Sequence, residues 1–342
     1  MNHYAMQPGT AKQLDTYRQA LARMNGADSA ERNFTVAPSV AQALETKMQE
    51  TSEFLSLINI QAVDEAAGDL LGLNVSSTIA GRTPTNAVRM PADPTTLDGT
   101  GYLCRQTDFD TYIEYSNLDQ WAKFPDFQSR IRNAILQQMA RDRLMIGWNG
   151  TSAASTTNRI ANPLLQDVNI GWIQKLRIAR PGNVLSECLH GSGKVLVGMT
   201  GDYSTIDSLA RDVFNNLIPS WYQDMSFGYV AIMGRALGAD RLFPLINATQ
   251  PPSEMMAADV IRYSKKLAGT IPVVEVPFFP ERSLMITPLS NLSIYWQRGT
   301  RRRRVVDNPA RNRIEDYQSI NEDYVIEQPD QCVLIENIEF IS

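Results

Sequence analysis

Two histidines and three cysteines are all that 342 residues offer to metal or thiol chemistry. Cys104, Cys188 and Cys332 stand far apart and are odd in number. Neither a disulfide framework nor a clustered zinc site fits that spacing, so a reduced, cytosolic protein is expected. His3 lies at the N-terminal end, and Cys188 with His190 makes half a metal site at best. No cofactor and no metal are expected. Charge of one sign is also missing. Lys and Arg total 32 against 37 Asp and Glu, for a net charge of −5 and a pI near 5.3. A protein that works by gripping phosphate shows a basic balance, so contact with nucleic acid must be local here. Apolar runs reach only about seven residues where a bilayer span needs about 20. No basic-then-apolar leader opens the chain. No membrane partner is expected.

Catalytic signatures are absent as well. The "HGSGK" at His190–Lys194 lacks phosphate-loop spacing and the following hydroxyl, and "GRALGAD" (Gly234–Asp240) is GxxxG rather than a dinucleotide fingerprint. No nucleophile elbow, zincin or kinase set is present. The carboxylates are scattered, and the tryptophans (Trp121, Trp148, Trp172, Trp221, Trp296) suit a core better than base stacking. The expectation is a protein that is not an enzyme.

What is present reads as an assembling protein. Hydrophobic residues make up 43% and charged residues 20%, which allows a real core. Leu14, Tyr17, Leu21 and Met24 form a narrow helical stripe that needs a partner, and a polar linker follows at Gly26–Thr35. Pro38 opens a second helical stretch to about Leu57, with Val40, Leu44, Met48 and Leu55 on one face. Residues 74–101 are rich in Thr, Ser, Pro and Gly and poor in core residues. They are either disordered or, as the strand-like flanks favour, an extended hairpin arm that finds its partner on another chain. Asp126–Trp148 is the strongest helix, with Phe127, Ile131, Ile135 and Met139 at intervals of four. Ser204–Tyr222 reads as an amphipathic helix capped by Ser204 with Asp207 three residues on. Helices at 235–247 and 253–266 and short strands to the C-terminus are expected to follow.

The sharpest local feature is "RGTRRRRVVDNP" (Arg298–Pro309). Arg301, Arg302, Arg303 and Arg304 enter a strand, where neighbours alternate between faces. The stretch that follows, Val305–Ser342, is dominated by acids. Pairing within or between subunits is therefore the leading expectation for the run, and contact with nucleic acid is the alternative. A soluble nucleic-acid-binding protein using these arginines is the second functional reading.

Several blocks resemble the major capsid proteins of P2-like tailed bacteriophages, in order and at matching intervals. They are Phe34–Ile60, Asp126–Gly150, Asn162–Arg177, Asn215–Asp224, Ser253–Ile261 and Leu292–Trp296. The resemblance implies an α+β HK97-type capsid fold. It assigns residues 1–34 to a scaffold-associated, propeptide-like segment, 35–70 to an N-arm and 71–115 to an E-loop. Residues 116–199 and 291–342 would form the peripheral domain with its spine helix, and 200–290 the axial domain. It implies self-assembly into pentamers and hexamers of an icosahedral shell around packaged double-stranded DNA, assembled in the bacterial cytoplasm. An internal scaffold, a prohead protease, a portal and head-completion proteins would be partners. Cleavage by that protease is expected at Phe34–Thr35.

Overall fold

The computed structural model describes residues 8–69, 74–75, 95–96, 101–121, 127–239 and 266–341. Residues 253–265 of the helix expected at 253–266, residues 240–247 of that at 235–247, and residues 76–94 and 97–100 of the expected arm lie outside the described residues.

The larger of two main sheets has seven strands. Its axis is the 14-residue strand Arg313–Ile326. On one edge of this strand, Arg302–Asn308 pairs with its first half and Leu292–Gln297 with its second, both antiparallel. On the other edge lie Thr111–Glu114 and Arg105–Asp108. Phe34–Thr35 extends the sheet beyond Arg302–Asn308, and Asn59–Val63 runs parallel to Leu292–Gln297.

Against this sheet pack the helices Phe127–Asn149, Pro38–Glu50 and Trp172–Ala179, which bury Leu136, Met139, Leu144, Ile146, Met48 and Leu176. The ring of Trp148 packs on Phe54, Trp172 and Phe279 with centroids 4.8–5.3 Å apart. Gly147 has no space for a Cβ because the Trp172 ring occupies it, which fixes how closely the two helices approach. Of the tryptophans expected inside, Trp148, Trp172 and Trp296 are buried, whereas Trp221 is 55% exposed. Trp221 sits in the short 3₁₀ turn Ser220–Tyr222, none of whose residues is buried.

The second sheet has six strands in the order Lys266–Leu267, Ile271–Glu275, Tyr229–Met233, Leu284–Pro288, Val333–Ile335 and Val184–Leu185. Leu209, Ala210, Val213 and Phe214 of helix Ile206–Leu217 cover Tyr229, Ala231 and Met233. The cap of this helix is Thr205 in a reciprocal box with Ser208, not Ser204 with Asp207. The Asp207 carboxylate instead accepts the backbone N–H of Ala268. The expected Pro38–Leu57 helix breaks after Glu50 and restarts at Glu53, with Ser52 as the new N-cap.

Between Asn59–Val63 and Arg105–Asp108, two strands of the seven-stranded sheet, lie two short antiparallel pairings. Ala67–Asp69 pairs with Gly101–Leu103, and Asn74–Val75 with Thr95–Thr96. At the other end of the sheet the N-terminal helix Pro8–Asn25 has its partner within the chain. Leu14, Tyr17 and Leu21 pack on Tyr115, Leu118, Val305 and Ile314.

Candidate functional site

Strand geometry divides the arginine run in two. Arg302–Asn308 lies directly against Arg313–Ile326, with Arg303 opposite Gln318 and Arg302 opposite Ser319. Successive side chains leave a strand on opposite faces. Arg301 and Arg303 turn inward and Arg302 and Arg304 outward.

The inward pair is fully engaged by groups of the same chain. Arg303 donates to both carboxylate oxygens of Asp316, at 3.0 and 2.5 Å, and to the Tyr17 hydroxyl at 2.8 Å. Burial works against the Arg303 charge, but Asp316 and Tyr17 outweigh it and hold its pKa above the ordinary value. The same burial pushes the Tyr17 hydroxyl up.

Arg301 reaches a deeper cluster. Its Nη1 donates to Glu45 at 2.7 Å, and Arg143 donates to Glu45 at 2.6 Å and to Glu322 at 2.9 Å. These two arginines and two glutamates are all nearly or fully buried. They tie helix Pro38–Glu50, helix Phe127–Asn149 and the axial strand to the arginine run. Burial opposes charge on every member. For Arg143 the two glutamates outweigh it, so its pKa is held up. For Glu45 burial is outweighed by Arg143 and Arg301 together, and its pKa is held down. Glu322 has one arginine against complete burial, and its pKa rises. Nη2 of Arg301 is buried without a hydrogen-bond partner among the described residues.

The charge pattern of the sequence points to acidic partners downstream of the run. Asp316 is one, but Glu45 comes from some 250 residues upstream. The sequence does carry a signal for Glu45 and Arg143. Ala41, Glu45 and Met48 share one helix face, and Met139, Arg143 and Ile146 another, and each face is otherwise apolar. A charge on a core stripe has to find a counter-charge there.

The outward pair faces a surface cleft of about 370 Å³ lined by Arg302, Arg304, Tyr317, Ser319, Asp108 and Asp110. Arg304 spends Nε on the carbonyl of Glu31 at 2.9 Å. Arg302 makes no ion pair among the described residues.

Phe34 and Thr35, the expected processing site, form a short strand opposite Arg303 and Arg302. Phe34 is half-buried between the main core and the N-terminal helix, while Thr35 and the preceding Glu31, Arg32 and Asn33 are exposed. Cys104 and Cys332 are buried thiols with pKa values pushed up to about 12 by burial, far from thiolate reactivity. His190 stands 3.5 Å from Glu187 in an exposed loop. Among the described residues no three ligand-type side chains gather as a metal site, and no helix is long and apolar enough to cross a membrane.

Comparison with known proteins adds four findings. The profile of the family described as "Phage major capsid protein, P2 family" matches residues 13–338. The chain is 43% identical over 343 residues to the "Capsid proteins" of Escherichia phage P2, spanning 98% of this chain and 96% of that one. Among solved structures, the satellite phage P4 procapsid that includes the size determination (Sid) protein aligns with TM-score 0.80 and 40% identity, over 98% of this chain and 99% of its own. The capsid of an empty GTA particle aligns at TM-score 0.53 and 14% identity over 84% of this chain and 90% of its own, a likeness of fold alone.

Proposed function

The chain belongs to the P2 family of phage major capsid proteins, and from that premise we propose that its copies associate as hexamers and pentamers closing an icosahedral head around double-stranded DNA. The fold is the HK97-type capsid fold, and the protein is a shell-forming component of virions. The observation that carries the reading is the full-length match to a subunit seen in an assembled procapsid. The arginine geometry favours it over the alternative, a soluble nucleic-acid binder. Half of the run that would grip phosphate is consumed inside the chain, and the rest faces two aspartates.

The division of labour follows the strand pairing. Residues 116–199 and 291–342 act as the peripheral domain, with Phe127–Asn149 as its spine, and 200–290 as the axial domain. Val333–Ile335 crosses over to pair with Leu284–Pro288, so the axial sheet borrows a strand from the C-terminal segment. Residues 71–115 act as the E-loop. The paired strands at 67–69, 74–75, 95–96 and 101–103 are its stem, and neighbouring subunits complete its contacts. Residues 35–70 act as the N-arm, and 1–34 as a segment that serves with the scaffold and is removed by the prohead protease near Phe34–Thr35. Because Phe34 and Thr35 are strand-paired, cutting there requires that edge to be peeled away first. Portal, head-completion proteins and assembly in the bacterial cytoplasm complete the reading. The protein acts by association and not by turnover.

The test is sedimentation with negative-stain microscopy of the full chain. Capsomers or closed particles are expected. A monomer that binds DNA with a steep salt dependence would overturn the reading.

A further inference from the structure

Resting on the shell reading, we propose that the cleft beside Arg302 and Arg304 receives the acidic stem of the hairpin, Glu65 and Asp69, from a second copy of this chain. The cleft is a polarised patch of sheet. Arg302 and Asp108 flank Ser319 on either side in the strand register, so they stand on one face about 10 Å apart, two strand spacings. Arg304 stands beside Tyr317 on the same face, two residues along from Arg302. One wall is therefore cationic, and the other carries Asp108 and Asp110. A polyphosphate chain crossing the cleft would meet both walls. A narrow strand bearing carboxylates needs to meet only one.

The base of the hairpin supplies such a segment, with Asp69 in the strand Ala67–Asp69 and Asp64 and Glu65 in the bend just before it. Asp64, Glu65 and Asp69 are three acids within six residues, with no base among them, and all three are exposed. Asp64 is held by Arg298 of its own chain at 3.1 Å. Glu65 and Asp69 make no ion pair among the described residues. The same chain thus exposes, at the base of the hairpin, two acids that make no ion pair among the described residues, and elsewhere a basic wall.

A patch matched to a different patch on an identical molecule makes a head-to-tail contact, the kind that propagates into rings. Guanidinium groups favour carboxylates through paired donors. The aspartate wall penalises a stem seated in the wrong register, because like charges then face each other.

Charge exchange tests this. Three full-length variants are compared with the unaltered chain under conditions in which the unaltered chain forms particles. They are Arg302→Glu with Arg304→Glu, Glu65→Arg with Asp69→Arg, and all four changes together. Each pair is expected to cut particle yield about tenfold, and the fourfold variant to restore most of it. The milder Arg302→Gln with Arg304→Gln, which leaves no reversed charge to disturb folding, is expected to lower yield by about threefold. Normal yield from both reversed pairs, or a fourfold variant no better than either, overturns the pairing. Normal empty shells with reduced DNA retention in the arginine variants also overturn it, in favour of a phosphate contact. If the unaltered chain forms no particles under any condition, the shell reading fails, which is a separate result.

Discussion

Arg303 and Arg302 are neighbours in sequence and opposites in circumstance. One donates to a carboxylate and a phenol under the N-terminal helix, and the other faces open cleft. The same split separates Arg301, bonded to a buried glutamate, from Arg304, whose Nε goes to a backbone carbonyl. A charge taken from water must be paired on the spot, so the inward arginines have partners fixed by the fold. An exposed charge carries no such demand and remains available to another molecule. A run of four like charges is thus two devices interleaved by the period of a strand. One clamps the N-terminal segments to the sheet, and the other is presented outward.

The largest effect is expected at Arg143, the cation that anchors the deep cluster. Arg143→Met leaves Glu45 and Glu322 buried with Arg301 as their remaining cation. Removing one partner of a buried ion pair costs about 3–5 kcal/mol. Denaturant unfolding should show that loss as a lower midpoint at unchanged slope. A loss under about 1 kcal/mol would mean that water reaches the cluster and that its burial is not what holds it. Next in size is Arg303→Ala, which strands Asp316 and removes the bond to Tyr17. Hydrogen bonds to charged groups contribute about 1.5–3 kcal/mol, and a loss in that range is expected. Limited proteolysis should then cut more readily between Asn25 and Phe34, because the helix bearing Tyr17 has lost its polar tie.

Much of this architecture is legible in the sequence. The spine helix, the hairpin flanks, the apolar stripe at Leu14, Tyr17 and Leu21, and the strand character of the arginine run follow from period and punctuation, and all four appear in the fold. Partners across long sequence separations are not legible. Nothing local says that Glu45 meets Arg301, since that contact depends on how helix Pro38–Glu50 lies on the sheet. The helix break at Thr51–Ser52 escapes the pattern for a different reason. The apolar face continues through Leu55, and only the Ser52 cap reveals that a new helix starts. The assignment of Val333–Ile335 to the second sheet is also invisible in pattern, because a buried strand reads alike in either sheet.

Acid should separate the buried cluster from the cleft. Glu45 has a folded-state pKa below the ordinary 4.5, because Arg143 and Arg301 together outweigh burial. Its contribution is present above that value and is lost as pH falls through the lower folded value. Glu322 is shifted the other way by burial, so its effect falls above 4.5 and has the opposite sign. The native chain should therefore lose stability on the acid side of 4.5. In Glu45→Gln that part of the acid limb should flatten, on a baseline already lowered by the missing charge. An unchanged acid limb would mean that Glu45 does not titrate with folding.

The smallest effect is expected at Arg302→Ala, and its smallness is what makes it informative. Arg302 is exposed, makes no ion pair among the described residues and covers no core. Removing it should move the unfolding free energy by no more than about 0.5 kcal/mol, the usual range for a surface change. Position 302 pairs with Ser319 through the backbone, and alanine keeps those bonds. Alanine is less suited to a strand than arginine, which sets the direction of the small shift toward lower stability. The same substitution at Arg303, one residue away in the same strand, is expected to cost several times more. Unfolding curves for the two single variants, recorded side by side, therefore measure the inward–outward split directly. If Arg302→Ala proved as costly as Arg303→Ala, the outward arginines would have to be part of the fold, and the cleft could not be reserved for a second molecule.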